Sequence, residues 1–422
     1  MPATAPALTA PMTLGIDFGT SNSAAGIAVG GRPFLVEMEP GETTLPTAVF
    51  FEPKRPMRIG RSATRALING DEGRFMRALK SLLGTPLLRE ERRINGETTD
   101  FIRIIARFLA EVKSRAEAAT HQTFTHALSG RPVHFHSANP TRDAQAEVDL
   151  RACYLAAGFE DVQFLYEPEA AVRSATPVAG LGLIVDIGGG TSDFTLFEQA
   201  ASGETQILAS HGVRLGGTDF DRQISIDHVM PLLGRGGQIR KAFGKDTLPA
   251  PNRLFNDLAT WQMIPFLYAA DSRRAARDLA KYAVEPERLN RLVSVLEDEL
   301  GHDLAFAVER GKIQANGADT INPRIDLRIL ERGLSAPLAP AQMRHSLAAM
   351  MDQIAQCGAE TLARGAVAPS QIDRLVMVGG SSLLSSLEAA LCQLCPNAQV
   401  ENHNAMTAVA DGLALSAAGA FA

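Results

Sequence analysis

The chain has 422 residues, 45% hydrophobic and 21% charged, an ordinary globular composition in a chain too long for one hydrophobic core. Its 41 basic and 47 acidic residues give a formal charge of −6, so bulk electrostatics point to neither nucleic acid nor an anionic membrane as partner. The four cysteines, Cys153, Cys357, Cys392 and Cys395, do not make a disulfide framework, which favours a reducing, cytoplasmic setting.

The opening MPATAPALTAPM has neither the basic region nor the apolar core of a secretory signal, and reads as a disordered lead-in. No run approaches the roughly 18 apolar residues that span a bilayer. Order begins at TLGIDFGTSNSAAGIAV (Thr13 to Val29), an apolar strand, a polar glycine turn and a second strand. Asp100 to Ala119 places Ile104, Ile105, Phe108, Leu109 and Val112 at helical spacing. Arg131 to His136 reads as a strand. Thr141 is placed to cap the next helix, with Ala144, Val148, Ala152 and Leu155 on one face and Gly158 at its end. DVQFLYE is a strand and PEAAV opens a helix, so this half is an α/β sheet.

ATPVAGLG (Ala175 to Gly182) is the expected lobe boundary. LIVDIGGGTSDFTLF then repeats the first unit, with Asp186 and Gly188-Gly189-Gly190-Thr191 in place of Asp17 and Gly19-Thr20-Ser21-Asn22. Two such units suggest a duplicated architecture with facing turns. A mostly helical stretch follows, from about Asp221 to Gly317, and Trp261 is its expected core anchor. DRLVMVGGSS returns to strand and glycine turn, and a small-residue helix ends the chain. Cys392 and Cys395 have CxxC spacing but lack the second ligand pair of a zinc site. His134 and His136, alternating on the expected strand, are too few for a metal site.

A glycine turn after an apolar strand suits phosphate, because bare backbone N–H groups can approach it closely. No GxxxxGK[ST] is present, and no GxGxxG joins a strand to a helix. Each turn instead joins two strands, with an aspartate ending the first, where it can hold Mg²⁺ or its waters.

This set of motifs resembles the actin/hexokinase/heat-shock ATPases, and more narrowly the nucleotide-binding domain of the seventy-kilodalton heat-shock chaperones. GIDFGTSNS resembles that family's first phosphate loop and DIGGGTSDFTLF its second. RLGGTDFD resembles the following loop, RALKSLLG the segment with its catalytic lysine, YEPEAAV a connecting segment, and VERGKIQAN and MVGGSS its adenosine motifs. The resemblance implies a two-lobed actin-like α/β fold of duplicated ribonuclease-H-like domains. Its first lobe would span 12–178, completed by a helix at 405–422. The second would span 181–400, with the helical insert at about 221–317.

ATP/ADP and Mg²⁺ are the implied cofactors. Asp17 and Asp186 would hold Mg²⁺ through waters. Gly19, Thr20, Ser21 and Asn22 would hold one side of the triphosphate. Gly188, Gly189, Gly190, Thr191, Gly216 and Gly217 would hold the other. Lys80, Glu167, Asp193 and Thr191 would surround the terminal phosphate and place the water, while Glu309, Lys312, Gly379, Gly380 and Ser381 would meet the nucleoside. Ile313 and Leu383 stand where the family has adenine-stacking arginines, which removes ~0.5–2 kcal/mol each of cation–π and stacking contact. Tyr166 stands where the family has a small polar residue.

The chain stops at Ala422, where the family continues into a peptide-binding domain, so it resembles the shortened YegD-type chaperone-like proteins. The implied function is slow ATP hydrolysis by a chaperone-like protein, with nucleotide and unfolded proteins or co-chaperones as partners and neither nucleic acid nor membrane. A non-hydrolysing sensor or scaffold, a small-molecule kinase and an actin-like filament former are the rival readings.

Overall fold

A computed structural model describes residues 12–136, 139–174, 178–202, 204–241, 246–317, 320–401 and 407–421. The lead-in before Met12, residues 175–177 of the expected boundary, and both ends of the expected 405–422 helix (405–406 and Ala422) lie outside them.

The first sheet holds β1 (Thr13–Phe18), β2 (Asn22–Val29), β3 (Arg32–Leu35), β4 (Thr44–Pro46), β5 (His126–Arg131) and β6 (Asp161–Tyr166). Its order is β6-β5-β1-β2-β3, with β4 added on β2. The second sheet holds β7 (Gly180–Ile187), β8 (Ser192–Gln199), β9 (Thr205–Val213), β10 (Arg374–Val378) and β11 (Gln399–Glu401), ordered β11-β10-β7-β8-β9. In both sheets the first three strands form an antiparallel meander, and two later strands add in parallel beside the first. The sheets therefore repeat one strand order. This is the duplication suggested by the paired turns, and the α/β actin-like fold is the one observed.

The chain divides into two compact units. One comprises Met1–Leu215, Ile354–Leu383 and Leu391–Ala422 and holds both sheets; the other comprises Gly216–Gln353 and Leu384–Ala390.

In the first unit, Asp100 caps the helix Phe101–Thr120 by accepting from Arg103 N. That helix buries Ile104, Ile105, Phe108, Leu109 and Val112, the face its spacing predicts. Phe108 meets Phe18 of β1 with ring centroids 5.8 Å apart. The helix Ala408–Ala417 makes backbone-on-backbone contact with the helix Glu167–Ser174: a Cβ on Gly412 would lie 1.7 Å from Ala170 O. It also lies against β1, where a Cβ on Gly15 would sit 2.7 Å from Ala414 N. The small residues of the last helix thus fix the helix that carries Glu167.

Two local expectations are corrected. The strand expected over Arg131–His136 is β5, His126–Arg131. Pro132 has no N–H for the ladder, and the interior of β5 is buried on both faces, so it shows no alternation to read. His134 and His136 therefore part company. His134 Nδ1 lies 3.3 Å from Asp143, while His136 is buried. Asn139, rather than Thr141, caps the helix Pro140–Ala156, accepting from Arg142 N at 3.0 Å. That helix buries Ala146, Asp149, Leu150, Cys153 and Tyr154, and leaves Val148 and Leu155 exposed. The inward face is a second apolar stripe, Ala146, Leu150, Cys153 and Tyr154, offset from the expected one; beside it Asp149 accepts from Gly84 N, and Tyr154 donates to Ser129 Oγ. Gly158 follows the helix end with φ +90°, as expected.

The second unit contains the expected helical stretch: Gly217–Ile224, Arg253–Leu258, Ala270–Tyr282, Pro286–Glu297 and Gly301–Asn316. A strand pair the sequence reading does not anticipate, Gln238–Arg240 with Thr247–Pro249, interrupts it. Trp261 is buried there, its ring 5.3 Å from His302 and 5.1 Å from Phe306. Among the described residues no helix is long and apolar enough to cross a membrane.

Candidate functional site

In the first unit, Asp17 of β1 and Asp186 of β7 each precede a glycine turn. At the first turn a Cβ on Gly19 would lie 2.1 Å from Asn22 O, so a side chain there would break the reversal between β1 and β2. At the second, Gly188 N donates to Thr191 O at 3.0 Å. A Cβ on Gly189 would lie 2.5 Å from Ser21 Oγ, and one on Gly190 3.5 Å from Thr20 Oγ1. The two turns therefore face each other in contact. A third turn closes behind them. Gly379 has φ +82°, and a Cβ there would lie 2.4 Å from Ile187 O and 2.7 Å from Asp186 Oδ1.

These turns line one cleft, with an empty volume of about 650 Å³ including open solvent. Asp17, Gly19, Thr20, Ser21 and Asn22 form one wall; Asp186, Gly188, Gly189 and Thr191 form the facing one. Gly379 and Gly380 complete the lining, with Val378 and Val409 as apolar neighbours.

Lys80 and Glu167 enter the same cleft. Lys80 sits in a 3-10 turn, Leu79–Leu82, entered through Ala78 in the left-handed region at φ +58°. Glu167 is the first residue of its helix, directly after β6. Both are buried, and Lys80 Nζ bonds Glu167 Oε1. Asp193 lies behind the wall. It faces Asp186 in the β7–β8 register, is 1% exposed, and accepts from Val133 N at 2.9 Å through Oδ1. Its buried Oδ2 has no partner at hydrogen-bonding geometry, although the Thr191 hydroxyl lies near enough to favour the charged form.

Four carboxylates (Asp17, Glu167, Asp186 and Asp193) thus surround one ammonium. Burial pushes Asp17 up to about 7, with Glu167 adding and Lys80 opposing. Burial, then Glu167, pushes Asp193 up to about 7, against Thr191, the Val133 amide and Lys80. Asp186 is raised well above the carboxylate range by burial, then Glu167, Asp193 and Asp17. Burial alone would lower Lys80, but Glu167, Asp17 and Asp186 outweigh it and hold the ammonium above its ordinary value. So much crowded negative charge fits a divalent cation. Among the described residues no three His, Cys, Asp or Glu side chains converge to ligate a metal directly.

Some predicted site residues are not among those lining the cleft. Gly190 and Ser381 do not line it. Gly216, Gly217, Glu309 and Lys312 belong to the second unit. There Gly216 N donates to Asp219 Oδ2 at 3.0 Å at the start of the helix Gly217–Ile224. Lys312 Nζ lies 2.8 Å from Asp221 Oδ1. Ile313 and Leu383 are 62% and 50% exposed. Tyr166 is half-exposed, under the Arg131 guanidinium at 5.1 Å. The sequence reading missed the supports of the lysine turn: Asp149, whose Oδ2 accepts from Gly84 N, and His136 with Arg214. Periodicity carries no signal for such bonds to backbone.

Residues 13–243 match the family model of the Hsp70 protein, more than half of the chain. The chain belongs to the Hsp70 family. A curated relative, Chaperone protein DnaK from Endomicrobium trichonymphae, is 33% identical over 226 residues, covering 51% of this chain and 34% of that protein. The chain therefore spans about a third of the length of this relative. The Hsp70 match includes both facing turns, Lys80, Glu167, Asp193 and Gly216-Gly217; Glu309, Lys312 and Gly379 to Ser381 fall beyond it.

Proposed function

We propose that this Hsp70-family chain binds ATP with Mg²⁺ in the cleft between the facing turns and hydrolyses it slowly to ADP and phosphate. One observation carries the reading: a buried Lys80–Glu167 pair opens into the same cleft as two glycine turns, each preceded by an aspartate. Hsp70 family members are ATPases, which supports it. Backbone N–H groups and the hydroxyls of Thr20, Ser21 and Thr191 would bind phosphate oxygens. Asp17 and Asp186 would order the waters of Mg²⁺, which when bound neutralises charge on the phosphates. Lys80 would offset the charge gathering on the terminal phosphoryl group, and Glu167 and Asp193 would orient the attacking water. Water oxygen bonds to the terminal phosphorus, the bridging P–O bond breaks toward ADP, and the water's proton passes to solvent through these carboxylates. The wider role is chaperone-like, in a cytoplasmic setting, with unfolded proteins or co-chaperones as partners; the similar protein, a chaperone by name, supports the chaperone-like part.

The test is single-turnover phosphate release from ATP·Mg²⁺, with Glu167→Gln alongside. Slow release in the wild type that the substitution lowers at least about tenfold supports the reading. Binding without release supports the non-hydrolysing sensor instead. ATP consumption that appears only with a sugar supports the kinase.

A further inference from the structure

The lysine turn is held from outside the cleft by a connected set of bonds. His136 is 6% exposed. Its Nε2 lies 2.6 Å from Leu83 O, and its Nδ1 lies 3.0 Å from Arg214 Nη1. A carbonyl only accepts and a guanidinium only donates. The ring is therefore the neutral tautomer with its proton on Nε2. Arg214 also donates from Nη2 to Ser81 O at 3.3 Å. Two of the residues just after Lys80 are thus tied to Arg214, one directly and one through His136.

Arg214 in turn follows β9, next to the second glycine turn. Ser192 Oγ, one residue after Thr191, donates to Leu215 O at 2.7 Å. Asp193 faces Gly212 in the β8–β9 register, and a Cβ on Gly212 would lie 2.3 Å from Asp193 Oδ1. Both ends of the segment 212–215 are therefore fixed to Ser192 and Asp193, and Arg214 between them reaches the Lys80 turn.

We propose that Arg214 and His136 are positioning residues that couple the second glycine turn to Lys80, so that contact with phosphate at Thr191 to Asp193 sets where the ammonium stands. The proposal rests on reading the cleft as a phosphate site. It also makes the coupling acid-sensitive. Protonating His136 places an N–H against Arg214 and removes that acceptor. Burial, then Arg214 and Arg142, lowers this imidazole below its ordinary value, against the Leu83 carbonyl and Asp143. Asp143 also accepts from His136 N at 3.0 Å, and a Cβ on Gly84 would lie 3.0 Å from the ring's Nε2. The relay is therefore complete at neutral pH and is lost as pH falls below the ordinary histidine range.

The experiment is amide exchange of Leu83 to Thr85 together with single-turnover hydrolysis, in wild type, Arg214→Ala and Arg214→Lys. The coupling predicts lower protection of these amides in Arg214→Ala, with hydrolysis slowed about tenfold while nucleotide Kd stays within about twofold. Arg214→Lys, which keeps one donor and the charge, should recover part of both. In the wild type the protection of these amides should fall on acidification below the ordinary histidine range, and Arg214→Ala should flatten that dependence. Unchanged protection in a folded Arg214→Ala protein overturns the relay. Lowered protection with unchanged hydrolysis overturns the coupling to Lys80. A wild type that binds but does not hydrolyse ATP refutes the ATPase reading instead, and the exchange data then still decide the relay.

Discussion

Asp193→Asn separates stability from chemistry at this site. Burial and Glu167 hold Asp193 at about 7 in the folded chain, against 3.8 for an ordinary aspartate. A carboxylate raised on folding binds its proton more tightly in the native state. Its contribution to stability is complete below the unfolded value and declines as pH rises through the folded one. Between pH 5 and pH 7 that is two units at about 1.4 kcal/mol each, or about 3 kcal/mol lost from the wild type by pH 8. Asparagine carries no charge and does not incur that loss. Its Oδ1 can keep the bond from Val133 N, while a buried amide N–H without a good acceptor costs about 1–3 kcal/mol at every pH. Urea unfolding at pH 5 and pH 8 should therefore show the substitution gaining about 3 kcal/mol relative to wild type between the two. Phosphate release should be abolished at both. An effect on stability that is equal at the two pH values within about 0.5 kcal/mol would refute the charge-crowding account.

Three further substitutions test the architecture. Gly19→Ala forces a Cβ to 2.1 Å from Asn22 O; it should cost about 1–3 kcal/mol and abolish nucleotide binding by calorimetry. Lys80→Met strands a buried carboxylate at Glu167 and should destabilise the fold by about 3–5 kcal/mol in urea titrations, while Lys80→Met with Glu167→Gln should recover much of that and remain inactive. Gly412→Ala drives a methyl to 1.7 Å from Ala170 O; it should lower Tm and slow hydrolysis through displacement of Glu167, with little change at the phosphate turns.

The sheets and both glycine turns are legible because strand, glycine turn and strand follow one another within the local sequence at Thr13 to Val29 and Leu183 to Phe197. Their matched strand order, with β10 and β11 joining from far along the chain, has no local signal in the sequence. The strand at His126–Arg131 was misplaced because its interior is buried on both faces and its sequence, HALSGR, lacks the aromatic and β-branched residues that mark strands. The face of the helix Pro140–Ala156 is ambiguous in the sequence because two stripes repeat at helical spacing, and packing buries Ala146, Leu150, Cys153 and Tyr154 rather than Val148 and Leu155. Lys80 and Glu167 are 87 residues apart in sequence, and no local pattern joins them. Only the family resemblance puts them in one site, where Lys80 Nζ bonds Glu167 Oε1.

In the proposed function the facing turns hold a triphosphate with its last phosphate at Lys80. The most direct measurement is a crystal structure with Mg²⁺ and a non-hydrolysable ATP analogue. The terminal phosphate should lie within hydrogen-bonding distance of Lys80 Nζ and of backbone N–H groups in Gly189 to Thr191, with metal-bound waters on Asp17 and Asp186. An analogue bound elsewhere, or with its phosphates turned away from both glycine turns, would contradict it.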